Sequence, residues 1–494
     1  MTFDSSKLKT VVVAILALFA ALYLGITAAT AQRETAAWVL GAASIVIAIW
    51  MGQRIWMLLP LMGALDISLR IPGQPSTLLV AQFAVIGMSV ILLLMRKLPF
   101  QLKFTELEFL MFLIIAFVAQ AYLRNPVGIS LFGSDNVGGK PYFIFAISCV
   151  TALLISGLRI PSGQIQQIFR LSVVGGLLNL FIGIAGYLIP TVGFYTNTYY
   201  VGSASFDNRA IDTGAAGRIG ILSTFSRNLS LWISCYISPV AAMVQPLWGI
   251  LCLVSIAAGA ASGFRTAIAT TAVTLLIGTL YRGGRVQVLL GMFAGVGLVA
   301  LLAVANLLHP LPPSAQRALS FLPGTWEERY IDDTKGSTDW RTEIWIEALT
   351  SEKYIRNKWF GDGLGFSRQD LDKSMAITEK TAAGYGGWDA QREAVLLNGD
   401  YHSSAVSTVR TCGYAGLIAL VYVMFRVVIL SHREIRRARR SWYYPVALFI
   451  GFPPIIALIM FPISASTFLQ VASALFISIG YLRLLQNNRP VEPA

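Results

Sequence analysis

The chain is dominated by apolar stretches that are long enough to cross a lipid bilayer. A helix of about 17 to 25 apolar residues spans the hydrocarbon core, and helices satisfy their own backbone hydrogen bonds there. We count about fourteen such stretches, centred near residues 20, 44, 62, 86, 116, 150, 180, 230, 254, 273, 297, 416, 452 and 475. Only 13% of the 494 residues are charged, whereas soluble chains carry about 25%. The sequence therefore predicts an all-α polytopic membrane protein with about fourteen transmembrane helices and one large extracytoplasmic loop.

The spacing of these stretches divides the chain into three regions. Residues 1–308 contain the first eleven spans, residues 309–403 form a large loop with an amphipathic helix, and residues 404–494 contain the last three spans and a tail. The first apolar run resembles a secretory signal, but it extends from Val11 to Ala29. The apolar part of a signal peptide has about 7 to 15 residues, so we predict an uncleaved first helix.

Basic residues predict the side of the membrane on which each loop lies. Lysine and arginine are enriched in short cytoplasmic loops, and here they occupy alternate loops. The clusters are Lys7 and Lys9; Arg54; Arg96, Lys97 and Lys103; Arg159 and Arg170; Arg282 and Arg285; and Arg433, Arg436, Arg437, Arg439 and Arg440. This pattern predicts cytoplasmic termini and places segments 190–217 and 309–403 outside. It also explains the net charge of +13, so we expect contacts with membrane lipids and none with nucleic acid.

The sequence predicts neither a metal site nor a cofactor. The four cysteines lie in or beside apolar stretches and form no CxxC pair, and none has a histidine partner at ligand spacing. The run Gly361-Asp362-Gly363-Leu364-Gly365 lacks the third glycine of a dinucleotide-binding loop and follows no expected strand.

Two arginines lie at the predicted outer mouths of membrane helices. Arg218 precedes the eighth span, and Arg265 begins the tenth. Either could be an interfacial arginine whose head group extends to lipid phosphates. Alternatively, their planar guanidinium groups bind a diphosphate through paired hydrogen bonds and stabilise it as a leaving group without a metal. The occurrence of two such arginines favours the functional interpretation.

Arg341 lies in the amphipathic helix predicted around residues 339–349, where Trp345, Ala348 and Leu349 share one face. Two interpretations remain open for this residue. It is either a third phosphate ligand or a solvated arginine paired with Glu343 or Glu347.

His402 lies where the large outer loop returns to the membrane. One interpretation is an interfacial histidine that packs at the start of a helix. The other is a general base that removes a proton from a sugar hydroxyl, since neutral histidine accepts protons near neutral pH. Asp400 is a candidate for orienting it. His309 precedes prolines and is interpreted as structural, and His432 lies in a cytoplasmic basic cluster.

Several of these residues resemble the motifs of bacterial O-antigen ligases and polysaccharide polymerases. The string His402-Ser403-x9-Gly413-x2-Gly416 resembles H[NSQ]-x9-G-x-x-[GTY], and Arg218-x3-Leu222 resembles R-x3-L. Residues 262–267, SGFRTA, are similar to S-x-S-R-x-A. The outer helix of the family is matched by Arg341-x3-Trp345-x2-Ala348-Leu349, and its GxG by Gly363-x-Gly365. The resemblance covers residues 215–425. Ser403 replaces the more common asparagine, and Phe264 replaces a small residue.

This resemblance implies a GT-C-like membrane fold in the bacterial inner membrane. It implies that Arg218 and Arg265 contact the diphosphate of an undecaprenyl-diphosphate-linked oligosaccharide and that His402 activates the hydroxyl of a glycan acceptor. It also implies a flippase and a chain-length regulator as partners.

Three functions are compatible with the sequence. A polymerase would join lipid-linked repeat units of an exopolysaccharide or O-antigen, and a ligase would move a finished glycan onto lipid A-core or another acceptor. We favour the polymerase because the chain has more predicted spans than the ligases usually have. A secondary transporter would place paired charges and broken helices near the bilayer midplane, whereas the sequence places its polar residues at the outer mouths.

Overall fold

The computed structural model describes residues 46–69, 75–128, 138–193, 200–202, 218–366, 387–399 and 401–489. The predicted first span, part of the second, most of the outer segment 190–217 and Asp400 lie outside these ranges. Within them the chain is mostly helical. The only strands described are β1 (Ile67–Leu69) and β2 (Tyr200–Gly202), which pair antiparallel with Ser68 opposite Val201.

Fifteen α-helices are labelled here in chain order. The first eight are α1 (Leu58–Leu65), α2 (Thr77–Leu94), α3 (Glu106–Arg124), α4 (Lys140–Gly157), α5 (Gln166–Leu188), α6 (Gly220–Tyr236), α7 (Pro239–Ala242) and α8 (Pro246–Ala261). The others are α9 (Arg265–Leu308), α10 (Pro313–Leu319), α11 (Glu328–Thr350), α12 (Gly387–Leu397), α13 (Ser404–Ala438), α14 (Tyr444–Met460) and α15 (Phe468–Asn487). A 3-10 helix, Gly52–Met57, precedes α1, and another, Ser162–Ile165, precedes α5.

Eight helical segments of the described residues are long and apolar enough to cross a membrane. These are α2, α3, α4, α9, α13 and α15, the run Val46–Leu65 that ends with α1, and the run Ser162–Leu188 that contains α5. Helices α8 and α14 are also apolar but shorter, and α6 has 17 residues. The structure therefore supports a polytopic membrane protein, while the count of about fourteen spans stays a prediction.

Two of the long helices are broken at glycines. Helix α9 has 44 residues, but Gly284 adopts φ 78° and ψ −175°, so the spans predicted near residues 273 and 297 are two segments that meet there. Helix α13 is broken in the same way at Gly413, with φ 74° and ψ −178°. Only glycine adopts this region readily because it has no Cβ.

The two ends of the helix bundle differ in their contacts. One end, called here the loop end, contacts residues 309–366. There the side chains of Arg124 and Asn125 donate to backbone carbonyls of residues 360–362, and the Tyr142 hydroxyl accepts from the Leu364 N–H. The opposite end contains the described loops and helix segments that carry the basic clusters: the Arg159 N–H donates to the Pro99 carbonyl, and the Tyr281 hydroxyl bonds His432. The assignment of this opposite end to the cytoplasm rests on the charge rule.

A small apolar core joins the described part of the large loop to the membrane helices at the loop end. Its buried residues come from α11, α12, the first turns of α13 and the adjoining loops, and they are Ile344, Ala348, Ile355, Leu396, Tyr401, Val406 and Val409. Trp345 and Leu349 pack against this core, so the amphipathic face predicted around residues 339–349 is present. The helix itself is longer than expected, since α11 begins at Glu328.

Candidate functional site

Arg218 and Arg265 are brought together by the loops that precede α6 and α9. The Ile219 N–H donates to the Ser262 carbonyl at 2.9 Å, which links the residue after Arg218 to the turn before Arg265. In that turn Gly263 has φ +73°, and the guanidinium carbon of Arg218 lies 5.6 Å from the centre of the Phe264 ring. The aromatic residue that departs from the family pattern therefore packs against the first candidate arginine.

Helix α11 contacts the first residue of α9. One guanidinium nitrogen of Arg265, Nη1, donates to the Thr334 carbonyl at 3.3 Å and lies 3.5 Å from the Thr338 hydroxyl. Arg341 is two turns further along α11 than Thr334. Its positive charge therefore acts on Arg265. All three arginines predicted from the sequence therefore lie close together.

A fourth arginine, which the sequence analysis did not identify, completes this group. Arg317, in α10, forms an ion pair with Asp333 of α11 at 2.9 Å. Burial lowers the pKa of Arg218, and the positive charges of Arg317, Arg341 and Arg265 lower it further, while Asp333 opposes them. We call these four arginines the arginine cluster. Among the residues that the structure describes, Asp333 is the one carboxylate whose charge acts on Arg218 and Arg265, so this part of the cluster favours the binding of an anion.

The carboxylates considered as partners of Arg341 bind another residue. Arg392 of α12 contacts Glu347 at 2.7 Å and Glu343 at 3.5 Å. Burial lowers the pKa of Arg341, since partial loss of water destabilises the charged form. Arg341 thus adds to the positive charge that acts on Arg218 and Arg265, while the two glutamates of its own helix pair with Arg392.

His402 lies beside α11 at the start of α13. Its ring centre is 5.8 Å from that of Trp340, the residue before Arg341. Two bonds fix the neighbouring backbone: Trp345 donates through its indole nitrogen to the Tyr401 carbonyl at 2.7 Å, and Ser403 accepts from the Val406 N–H at 3.3 Å as the helix cap. His402 has φ +47°, a left-handed conformation that histidine adopts more often than most residues. The candidate base and the arginine cluster are therefore connected through α11.

The break of α13 explains why a glycine occupies position 413, one of the glycines in the ligase-like motifs. At this break the N–H groups of Asp362 and Gly363 donate to the carbonyls of Arg410 and Thr411, at 2.6 and 3.0 Å. In return, the N–H groups of Tyr414 and Ala415 donate to the carbonyls of Lys358 and Trp359, at 2.8 and 3.2 Å. A Cβ at position 413 would lie 2.1 Å from the Trp359 carbonyl oxygen. The segment 358–363 therefore satisfies the backbone groups that the break exposes, and no side chain fits at the contact.

An open groove with several polar lining residues, which the sequence analysis missed, lies along α6 beyond Arg218. It has a volume of about 320 Å³ and is lined by residues of α1, α6, α9 and α14 together with Asp66. Asp66 and Arg227 attract each other electrostatically, and Arg227 also donates to the Thr224 hydroxyl at 3.3 Å. The expectation that polar residues lie only at the helix mouths was wrong for Arg227, which is about 10 Å along α6 from Gly220 at a rise of about 1.5 Å per residue. The signal was present in the sequence as an arginine inside a predicted span.

No family model matches the chain, and no curated protein matches it significantly. The resemblance to ligases and polymerases therefore rests on the short sequence motifs alone.

Proposed function

We propose that the chain is a metal-independent membrane glycosyltransferase that polymerises undecaprenyl-diphosphate-linked repeat units of an exopolysaccharide or O-antigen. The observation that carries this proposal is the arginine cluster. Four arginines from separate segments meet at α11, and among the described residues Asp333 is the carboxylate that offsets their charge. A diphosphate, with several anionic oxygens arranged for bidentate bonds, is the chemical group that best relieves this repulsion.

The reaction that fits these residues is a substitution at an anomeric carbon. The acceptor hydroxyl oxygen forms a new bond to that carbon, and the bond from the carbon to the donor diphosphate breaks. The diphosphate keeps the electron pair, and its developing charge is stabilised by Arg218, Arg265 and Arg341. His402 takes the proton of the acceptor hydroxyl as the new bond forms. Proton removal at this step assists a weak nucleophile.

The positions of the aromatic residues support a glycan rather than a simple phosphate ester as the substrate. Trp340 contacts His402 and directly precedes Arg341 in α11, so an aromatic ring lies beside the candidate base. Aromatic faces provide apolar contact at low conformational cost. A sugar ring attached to the diphosphate fits this arrangement.

The test is the product that the purified chain forms from a lipid-linked repeat unit. A ladder of chain lengths, resolved on a gel, is the expected result and identifies a polymerase. Transfer of a preformed glycan to a second lipid, without a ladder, would identify the ligase. Vesicle uptake of the lipid-linked unit without any new glycosidic bond would refute the glycosyltransferase and identify a transporter.

One structural feature favours the transporter alternative, namely the electrostatic attraction between Asp66 and Arg227. By helix rise Arg227 lies about 10 Å from the start of α6, whereas the midplane of a hydrocarbon core about 30 Å thick is about 15 Å deep. The pair therefore lies between the helix mouth and the midplane, and it lies in the same helix that Arg218 precedes. This position suits an extension of the donor site better than a separate midplane site.

A further inference from the structure

A second cavity lies at the opposite end of the bundle, away from the arginine cluster. Its volume is about 350 Å³, and it is formed where three connecting segments meet: the bend before α1, the turn after α2 and the loop between α4 and α5. Its polar lining residues are Gln53, Arg54, Arg159 and Gln164. Among the described lining residues none is acidic, so none of them neutralises the two arginines.

The walls of this cavity are fixed by backbone hydrogen bonds. The Arg159 N–H donates to the Pro99 carbonyl at 2.9 Å, and the Gln101 N–H donates to the Gly157 carbonyl at 2.7 Å. The side chain of Asn488 in turn accepts from the Ile160 N–H at 2.8 Å. The loop that carries Arg159 is therefore held in place before any ligand binds.

The two arginines retain unused hydrogen-bond donors. Arg159 donates through Nη2 to Gln101 at 3.2 Å, but its Nη1 is buried and has no partner. A buried donor without a partner costs about 1–3 kcal/mol, so an acceptor is expected to complete it. Arg54 is exposed and lines the same cavity from another segment.

The other lining residues and their neighbours indicate a ligand with an apolar part. Met51, Leu98 and Ile160 are among the lining residues. Trp50, next to Met51, is 55% exposed, and Leu94, which ends α2, is 80% exposed. Such side chains lie against lipid in a membrane protein, and tryptophan is enriched at the membrane interface. The cavity is therefore continuous with the lipid-facing surface.

We propose that this cavity binds the head group of an anionic phospholipid, whose phosphate accepts from Arg54 and Arg159 while its acyl chains follow the surface near Trp50 and Leu94. Basic pockets between membrane helices are known to bind such head groups. The site is separate from the glycosyltransferase proposal, since it involves neither the arginine cluster nor His402.

The experiment measures the thermal unfolding midpoint of the full chain in a mild detergent with added lipid. Phosphatidylglycerol should raise the midpoint of the native chain, whereas zwitterionic phosphatidylcholine should not. The double variant Arg54→Gln/Arg159→Gln should need at least about 10-fold more phosphatidylglycerol for the same rise, since two charge-assisted bonds are lost. The matched control Arg96→Gln/Arg170→Gln removes the same charge at the same end of the bundle and should respond as the native chain does.

The outcomes separate the possible ligands. An equal response of the double variant and the control would overturn the proposal, because general charge attraction would then explain the effect. Stabilisation by inorganic phosphate alone, lost in the double variant, would make this a site for soluble anions and would overturn the lipid assignment. If the double variant does not fold, the single variant Arg54→Gln serves, since Arg54 is exposed. These readouts need no enzymatic activity, so they are independent of the proposed function.

Discussion

Replacing Arg265 by lysine keeps the positive charge but removes the planar group, and this change tests the arginine cluster most directly. In the native chain, Nη1 of Arg265 is directed towards the Thr334 carbonyl and the Thr338 hydroxyl. The protein therefore holds one side of the guanidinium, and its remaining nitrogens are available to a ligand. A lysine has a single nitrogen and cannot hold α11 and bind a phosphate oxygen with the same geometry.

The expected loss follows from the number of bonds. A hydrogen bond to a charged group contributes about 1.5–3 kcal/mol, and each 1.4 kcal/mol corresponds to about tenfold in affinity. Loss of one bond to the diphosphate should therefore lower kcat/KM for the lipid-linked donor by about 10- to 150-fold. The assay is steady-state turnover of the purified protein in detergent, with an unchanged unfolding midpoint as the check that the variant has folded.

Arg329→Lys is the matched control. Arg329 belongs to α11, the helix that Arg265 contacts, but it pairs with Glu327 at 2.8 Å and its side chain is 60% exposed. Its conversion to lysine should leave kcat/KM within about twofold, as expected for a surface ion pair. If Arg265→Lys and Arg218→Lys both behave like this control, the two arginines are interfacial residues that bind lipid phosphates, and the diphosphate site is refuted.

Four further outcomes are expected. Asparagine tolerates the left-handed backbone of residue 402, so His402→Asn is the suitable variant. It should lower turnover by about 10²–10⁴-fold without weakening donor binding in a competition assay. A rate above a tenth of native would make His402 structural. Gly413→Ala should lower the free energy of unfolding by about 1–3 kcal/mol, because its Cβ would meet the Trp359 carbonyl. The control Gly295→Ala should not, since a Cβ there meets no atom within 4 Å. Equal unfolding midpoints of the two variants would contradict the described break. Activity should survive excess EDTA, and restoration of lost activity by Mg²⁺ would show a metal requirement. Lys335→Cys should react with a membrane-impermeant thiol reagent in intact spheroplasts, since Lys335 is exposed and the native cysteines are buried; labelling only after lysis would invert the topology.

The sequence was sufficient to select three of the four clustered arginines because their positions follow from span boundaries. Arg218 and Arg265 each stand where an apolar run begins, and the positive-inside rule makes arginine unusual on that side. Arg341 could be selected because the apolar face of its helix is visible in the periodicity. Arg317 has no comparable signal, since its place depends on the way α10 folds back towards α11.

The breaks inside α9 and α13 could not be predicted from the local sequence. Glycine is frequent in membrane helices, so Gly284 and Gly413 do not differ in sequence from glycines that continue a helix. A break exposes backbone groups that must be satisfied inside the membrane. At Gly413 the partners come from segment 358–363, about fifty residues earlier in the chain, and a periodicity analysis contains no information on such a contact. The pairing of Asp66 with Arg227 could not be predicted either, because the two residues are far apart in the sequence.

These contacts explain why the number of residues between His402 and Gly413 matters. The part of α13 between them is held at one end by the Ser403 cap and the small apolar core, and at the other end by segment 358–363. It is therefore a rigid piece whose length is set by the outer loop at both ends. Each residue of an α-helix adds about 1.5 Å and a rotation of about 100°, so one residue more or fewer would turn His402 away from Trp340 and α11. The nine residues between Ser403 and Gly413 thus set the position of His402 relative to α11 and the arginine cluster.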